Sequence, residues 1–229
     1  MVSETRKAGM RRNLIIYGAK SPLVAEIEET CLRADVELQA VVSLGGTSRA
    51  LTADKVVQAE DVGSMSDCAD FIPCAFAPNR RRELVEDAKS RGLKLASALI
   101  DPTAIVARST RFATGVYVNA GAVIGAVSMV RQGAFINRTA SVGHHCVIGA
   151  YASLGPGCVL ASNVMIEDDV IVGAGAVIMP DIHIGQGAVI SAGATVSRNV
   201  PDGALVTGER AKVIADGARR IALRRGGEE

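Results

Sequence analysis

One spacing constrains this chain more than any other feature: from Ile100 onward a bulky apolar residue returns at every sixth position. The register runs Ile100, Val106, Phe112, Val118, Ile124 and Val130 and continues unbroken to Ile190 and Val196. A second register, four residues behind the first and running from Ala104 to Val200, holds only small or β-branched residues. An α-helix repeats on 3.6 residues and a strand on two, so neither accounts for a period of six. A parallel β-helix does, because each hexapeptide side turns one aliphatic and one small residue inward and three sides complete a coil. Each inward aliphatic gains about 1.5 to 3 kcal/mol on burial. Glycine often follows the aliphatic position, at Gly125, Gly143, Gly149, Gly155, Gly173 and Gly185, and the expectation there is a turn that needs backbone freedom.

Composition agrees with such a core. Of 229 residues, 48% are hydrophobic but only 3% aromatic, with no Trp and 24 Gly, so small and aliphatic side chains must fill the interior. Those proportions exclude a disulfide miniprotein, a collagen and a disordered tail. Lys plus Arg number 25 against 24 Asp plus Glu, which leaves no basic field to argue for nucleic acid. The cysteines, Cys31, Cys68, Cys74, Cys146 and Cys158, include no CxxC pair and read as structural thiols of a reducing compartment. Residues 1–12 are polar and basic, and the apolar run Leu14 to Tyr17 is too short for a signal-peptide core, so a cytoplasmic location is expected. The uncharged window from Phe112 to Val130 has the length of a membrane span, yet its apolar residues follow the period of six, so no membrane partner is expected.

Residues 13–98 read differently. Strands are expected at Asn13 to Ala19, Val36 to Leu44, Asp70 to Ala77 and Leu93 to Ile100. Helices are expected at Pro22 to Arg33, with Ser21 as cap, and at Asn79 to Arg91, ended by Gly92. Strand and helix in alternation imply a small parallel α/β sheet. The turn Gly18-Ala19-Lys20-Ser21 lies where such folds bind ligands, and its single glycine excludes the GxGxxG dinucleotide fingerprint. The chain thus divides into a flexible start at 1–12, a Rossmann-like α/β domain at 13–98, a β-helix at 99–214 and a basic tail or short helix at 215–229.

A small α/β domain, then Leu99-Ile100-Asp101-Pro102-Thr103-Ala104, then a hexapeptide repeat carrying Ile136-Asn137 and Val142-Gly143-His144-His145-Cys146-Val147-Ile148-Gly149, resembles the bacterial sialic acid O-acetyltransferase and UDP-amino-sugar N-acetyltransferase family. The likeness runs from about Asn13 to Lys212. It implies a left-handed β-helix, a homotrimer, acetyl-CoA held between neighbouring β-helices, and a nucleotide sugar bound by the N-terminal domain. It also implies His144 as catalytic base, His145 in the place of an acidic residue that orients the base, and Asn137 as an aid to positioning acceptor or thioester. Backbone contacts to acetyl-CoA fall at Gly155, Gly173, Ala174 and Ala192, an oxyanion N–H donor falls near Ser162, and a phosphate contact falls at Lys212. The acceptor turn falls on Gly18, Ala19, Lys20 and Ser21. It departs from the family's histidine-bearing glycine-rich turn, and Leu44-Gly45-Gly46 replaces an acidic pair.

The residues themselves support the base. His144 stands two places after the inward Val142, so its ring points out of the core, and a neutral imidazole can take a proton from an attacking amine or hydroxyl, which accelerates such reactions about 10²- to 10⁴-fold. No GxSxG motif is present, which favours direct transfer over an acyl-enzyme. A zinc site of the γ-carbonic anhydrase type is disfavoured, because His183 precedes an inward aliphatic whereas His144 and His145 follow one, and no metal is expected. The expected function is acetyl-CoA-dependent transfer of an acetyl group to an amino or hydroxyl group of a nucleotide-activated sugar. The alternative is a non-catalytic trimeric scaffold or regulatory homologue.

Overall fold

A computed structural model of the protein describes residues 12–65 and 69–208. Lys212, Cys68 and the tail at 215–229 lie outside the described residues. The N-terminal unit is a parallel sheet of β1 (Asn13–Tyr17), β2 (Glu37–Ser43), β3 (Val56–Gln58) and β4 (Asp70–Pro73), in the order β3-β2-β1-β4. Helix α1 (Val24–Arg33) connects β1 to β2, and α2 (Pro78–Ser90) follows β4. Because β1 is flanked by β2 on one side and β4 on the other, the strand order reverses beside it. Open α/β sheets bind ligands at the carboxyl ends of strands around such a reversal.

Three local expectations change here. Helix α1 starts at Val24 rather than Pro22 and Ser21 is not its cap: Ser21 Oγ accepts from Leu23 N at 3.3 Å, while Ser21 O accepts from Val24 N at 3.0 Å, which spends Ser21 on the turn before the helix. Strand β3 carries only a short Val-Val pattern and was not expected. Leu93 to Ile100 is not one strand, since Leu95 makes a lone bridge to Phe71 and only Leu99–Ile100 is strand.

The remainder is a left-handed β-helix of two-residue strands, β5 (Leu99–Ile100) through β22 (Leu205–Val206), in parallel sheets of seven, six and five strands. Residues eighteen apart stack, as Tyr117, Phe135 and Ser153 do. From Val118 to Val196 every aliphatic rung is buried, and Ile100, Val106 and Phe112 are partly buried at the open end of the stack. The last coil is two residues shorter, so Val200 bridges Ile184 instead of continuing the small register.

The turn glycines serve a different purpose from the one expected. Left-handed φ recurs at a later position, as at His145 (φ 58), Tyr151 (φ 58) and Asn163 (φ 60). Glycine after the aliphatic allows coils to approach, since a Cβ at Gly143 would lie 2.6 Å from Ala161 O in the next coil.

The two units share a core in which Tyr117 and Phe135 of the seven-stranded sheet pack with Leu14, Ile16 and Ile27. Polar clamps fix the join. Asp101 Oδ2 accepts from Thr30 Oγ1 and Arg33 Nε, both at 2.8 Å. Arg81, 1% exposed, donates to the carbonyls of Ala75, Phe76, Gly133, Tyr151 and Ala152 and to Ser153 Oγ.

Candidate active site

Each corner of the β-helix is a column of turns stacked at intervals of eighteen residues. His144 and His145 form the turn between the strands Ser141–Val142 and Val147–Ile148, on a column that continues through Ser162 and Asn163. Val142 and Cys146 anchor that turn in the core, at 2% and 0% exposure, and leave both imidazoles exposed. His144 Nδ1 lies 2.9 Å from His145 Nδ1, and His144 Nε2 lies 2.9 Å from Ser162 Oγ. With its proton on Nδ1 and donated to His145, His144 accepts from the Ser162 hydroxyl on Nε2, and that lone pair can serve as a base. The Ser162 N–H donates to no group of the chain among the described residues.

Asn137 is on a different corner, that of Gly155, Gly173, Ala174 and Ala192. Its Oδ1 accepts from Arg138 N at 2.8 Å and from Asn119 Nδ2 at 3.1 Å, so the carbonyl end is committed to the fold. Asn119 caps Ala120 N in the same way. Further along this edge the capping side chains are replaced by Gly173 and Ser191, and the N–H groups of Ala174 and Ala192 donate to nothing among the described residues. Ala174 and Ala192 are exposed, and a Cβ at Gly175 or Gly193 would meet nothing within 4 Å. The edge therefore offers bare backbone donors to a ligand lying along it.

A third group surrounds a pocket of about 210 Å³ in the N-terminal unit, at the strand-order reversal. Gly18, Ala19, Lys20 and Ser21 line it from the end of β1, Cys74 and Ala75 from the end of β4, and Leu44, Arg80 and Leu84 complete it. Gly18 is required where it stands: its φ is 120, and a Cβ would lie 2.9 Å from Cys74 O. Lys20 lies across Gly46, where any side chain would run into its Cε. The two departures from the family pattern, Lys20 and the Leu44-Gly45-Gly46 run, are thus in contact and give the pocket a second cation beside Arg80. Sequence reasoning missed Arg80 and Cys74, because neither lies in the turn that marks the site. Burial pushes the Cys74 thiol up to about 12, so it is a wall and not a nucleophile.

Within one chain these three groups stay apart. The N-terminal unit covers the seven-stranded sheet, through Tyr117, Phe135 and Ser153, whereas His144 lies on the corner between the other two sheets. Both faces beside that corner expose apolar residues: Ile105, Val123 and Val159 on one, Met129 and Met165 on the other, with Val127 and Met179 at the corner itself. His183 faces outward beside Met165 and pairs with Glu167 at 3.0 Å, away from the other histidines. Among the described residues no three His, Cys, Asp or Glu side chains converge as metal ligands. Nor is any helix among them long and apolar enough to cross a membrane, and the Phe112 to Val130 window is three sides of the coil.

Comparison with known proteins agrees with this build. Residues 163–198 match the bacterial transferase hexapeptide family model (six repeats). No curated protein sequence matches the chain. A histidine-to-asparagine variant of perosamine N-acetyltransferase from Caulobacter crescentus, in complex with CoA and GDP-perosamine, superposes with a TM-score of 0.79 at 28% identity, covering 91% of this chain and 99% of that one. The acetyltransferase domain of PglB from Neisseria gonorrhoeae, in complex with acetyl coenzyme A, gives 0.78 at 28% identity over 88% and 98% of the two chains. WeeI from Acinetobacter baumannii AYE shares the fold, with a TM-score of 0.74 at 24% identity over 86% and 97%. The repeat match, together with a likeness to two sugar-acetyltransferase structures that spans nearly the whole chain, makes the protein an acyltransferase built on hexapeptide repeats.

Proposed function

We propose that the protein transfers the acetyl group of acetyl-CoA to an amino or hydroxyl group of a nucleotide-activated sugar, with His144 as general base. The observation that carries this reading is the exposed His144 ring, with His145 as partner on Nδ1 and the Ser162 hydroxyl on Nε2, beside the unbonded Ser162 N–H. The acceptor group gives its proton to Nε2 as it attacks the thioester carbon, the Ser162 N–H stabilises the oxyanion, and the protonated imidazole returns the proton to the departing thiolate. Acetyl-CoA lies along the Gly155, Gly173, Ala174 and Ala192 edge, where backbone donors are bare and side chains small. Asn137 Nδ2, which donates to no described group, serves the thioester or the acceptor.

The base and the acetyl-CoA edge are on different corners of one coil, so the working site needs a second copy of the chain. The apolar residues on both sides of the His144 corner favour burial of that corner between subunits. A homotrimer brings the base corner of one subunit to the edge of the next. Lys20 and Arg80 suit the pocket at the strand reversal to the phosphates of a nucleotide sugar. The test is CoA-thiol release from acetyl-CoA with UDP-, GDP- and dTDP-linked amino sugars, comparing wild type with His144→Ala. Release with one acceptor, lowered about 10²-fold or more by the substitution, is the expected result. Binding of acetyl-CoA with no release from any acceptor supports the scaffold reading instead.

A further inference from the structure

We propose that Ser162 is an internal nucleophile, and that in the absence of an acceptor the protein hydrolyses acetyl-CoA through an acetyl ester on Ser162 Oγ. The inference rests on acetyl-CoA as donor and His144 as base, and is independent of what the acceptor is. Ser162 Oγ lies 2.9 Å from His144 Nε2, the nitrogen that an acceptor has to reach, and His144 Nδ1 lies 2.9 Å from His145 Nδ1. A hydroxyl on one ring nitrogen and an orienting group on the other is the arrangement that activates a serine, whatever the order of the residues in the chain. Two adjacent coils supply the three groups, so the eighteen-residue stacking fixes their spacing. Neighbouring turns of the same column present Ala126 and Pro180, which have no hydroxyl to offer.

The backbone fits the same role. The Ser162 N–H has no partner among the described residues, and in serine hydrolases the N–H of the nucleophile itself helps hold the oxyanion. Glycine in this place would keep that donor but lose the nucleophile. In the first step His144 Nε2 takes the Ser162 hydroxyl proton, Oγ bonds to the thioester carbon, the C–S bond breaks, and the CoA thiolate takes the proton from His144. In the second step water gives a proton to Nε2 and attacks the ester, acetate leaves, and Ser162 Oγ recovers the proton. The balance is acetyl-CoA plus water giving acetate, CoA thiol and one proton released to solvent. An acceptor seated on Nε2 displaces the hydroxyl and takes the acetyl group directly.

The experiment incubates the protein with acetyl-CoA alone, follows thiol release, and maps acetylated peptides after acid quench. Expected results are acceptor-free release, acetyl on the peptide containing Ser162, and release lowered about 10²-fold or more in Ser162→Ala and Ser162→Gly. Calorimetric binding of acetyl-CoA identifies any variant that fails to fold, and Ser162→Cys, which traps acetyl as a thioester visible by intact mass, gives a second reading. Wild-type release rates in folded Ser162→Ala, or no acceptor-free release from wild type, overturn the proposal. Acceptor-dependent release that needs His144, with none when acceptor is absent, overturns Ser162 alone. Acetyl-Ser162 with no acceptor able to stimulate release overturns the nucleotide-sugar acceptor alone.

Discussion

His144 and His145 share a hydrogen bond between their Nδ1 atoms at 2.9 Å, with the rings edge to face at 5.0 Å and 88°. Only one of those nitrogens can hold the proton, and the proposed catalytic arrangement puts it on His144. A neutral imidazole at 145 can accept that bond but adds no negative charge to steady the imidazolium that forms during transfer. His145→Ala is expected to lower kcat about 10- to 100-fold, the usual size for losing a group that orients a histidine, with little change in the KM for acetyl-CoA. His145→Asp restores the acceptor with a charge and sits easily at φ 58, so its kcat should equal or exceed wild type. Steady-state kinetics on both variants checks the pair.

Gly143 couples the fold to the same bond. A Cβ there would lie 2.6 Å from Ala161 O and 2.9 Å from Ser162 N, which forces the two coils apart where His144 meets Ser162. Gly143→Ala should cost about 1 to 3 kcal/mol, the range for overpacking a tight site, and should lower kcat more than Gly149→Ala does, whose Cβ would press on Glu167 and Asp168 at another corner. Thermal unfolding and kinetics on the two variants separate the local effect from the general one.

Arg81 holds α2 to the β-helix without a carboxylate among its partners. Burial lowers its pKa to about 9, and its donors satisfy carbonyls from both units. Arg81→Met removes the charge but leaves those carbonyls unpaired, so a loss of about 3 to 5 kcal/mol is expected by urea denaturation. Arg81→Lys should recover little of it, because three ammonium protons cannot span carbonyls arranged around a planar guanidinium.

Asp101 makes the join sensitive to acid. Burial alone would raise its carboxyl, but hydrogen bonds from Arg33, Thr103 and Thr30 overcome that and hold it near about 2. A depressed carboxylate stabilises the fold above its unfolded pKa, and that stability is lost as pH falls through the folded value. About 2 to 3 kcal/mol should therefore vanish between roughly pH 4 and pH 2. Asp101→Asn should flatten this part of the stability profile and be less stable at neutral pH, as read by denaturant midpoints across that window.

What the sequence made legible follows from what a period can carry. The register from Val118 to Val196 specifies the β-helix because each rung is buried independently. Val200 was misread because valine suits the small register as well as the position it takes across from Ile184. The His144 to Ser162 contact was available in principle, since the residues are one coil of eighteen apart, as are Asn119 and Asn137. Arg81 was not available: in sequence it is one of three successive arginines, and only the tertiary join separates it from Arg80 at the pocket and Arg82 on Asp169.

Separation of the His144 corner from the Ala174 edge proposed for acetyl-CoA leads to a test that does not depend on knowing the acceptor. His144→Ala removes the base, and Ala174→Trp should block the bare edge with a large side chain. Each variant alone is expected to be inactive. If every site joins the corner of one subunit to the edge of another, trimers that carry both variants regain about a third of intact sites, because a closed ring of three holding both variants has one junction where a sound corner meets a sound edge. If both parts come from one chain, no mixture regains activity. Co-expression with two different tags, tandem purification and CoA-thiol release measure the restored fraction. Val159→Glu, which charges the exposed apolar face beside the corner, should abolish the restoration along with self-association in sedimentation.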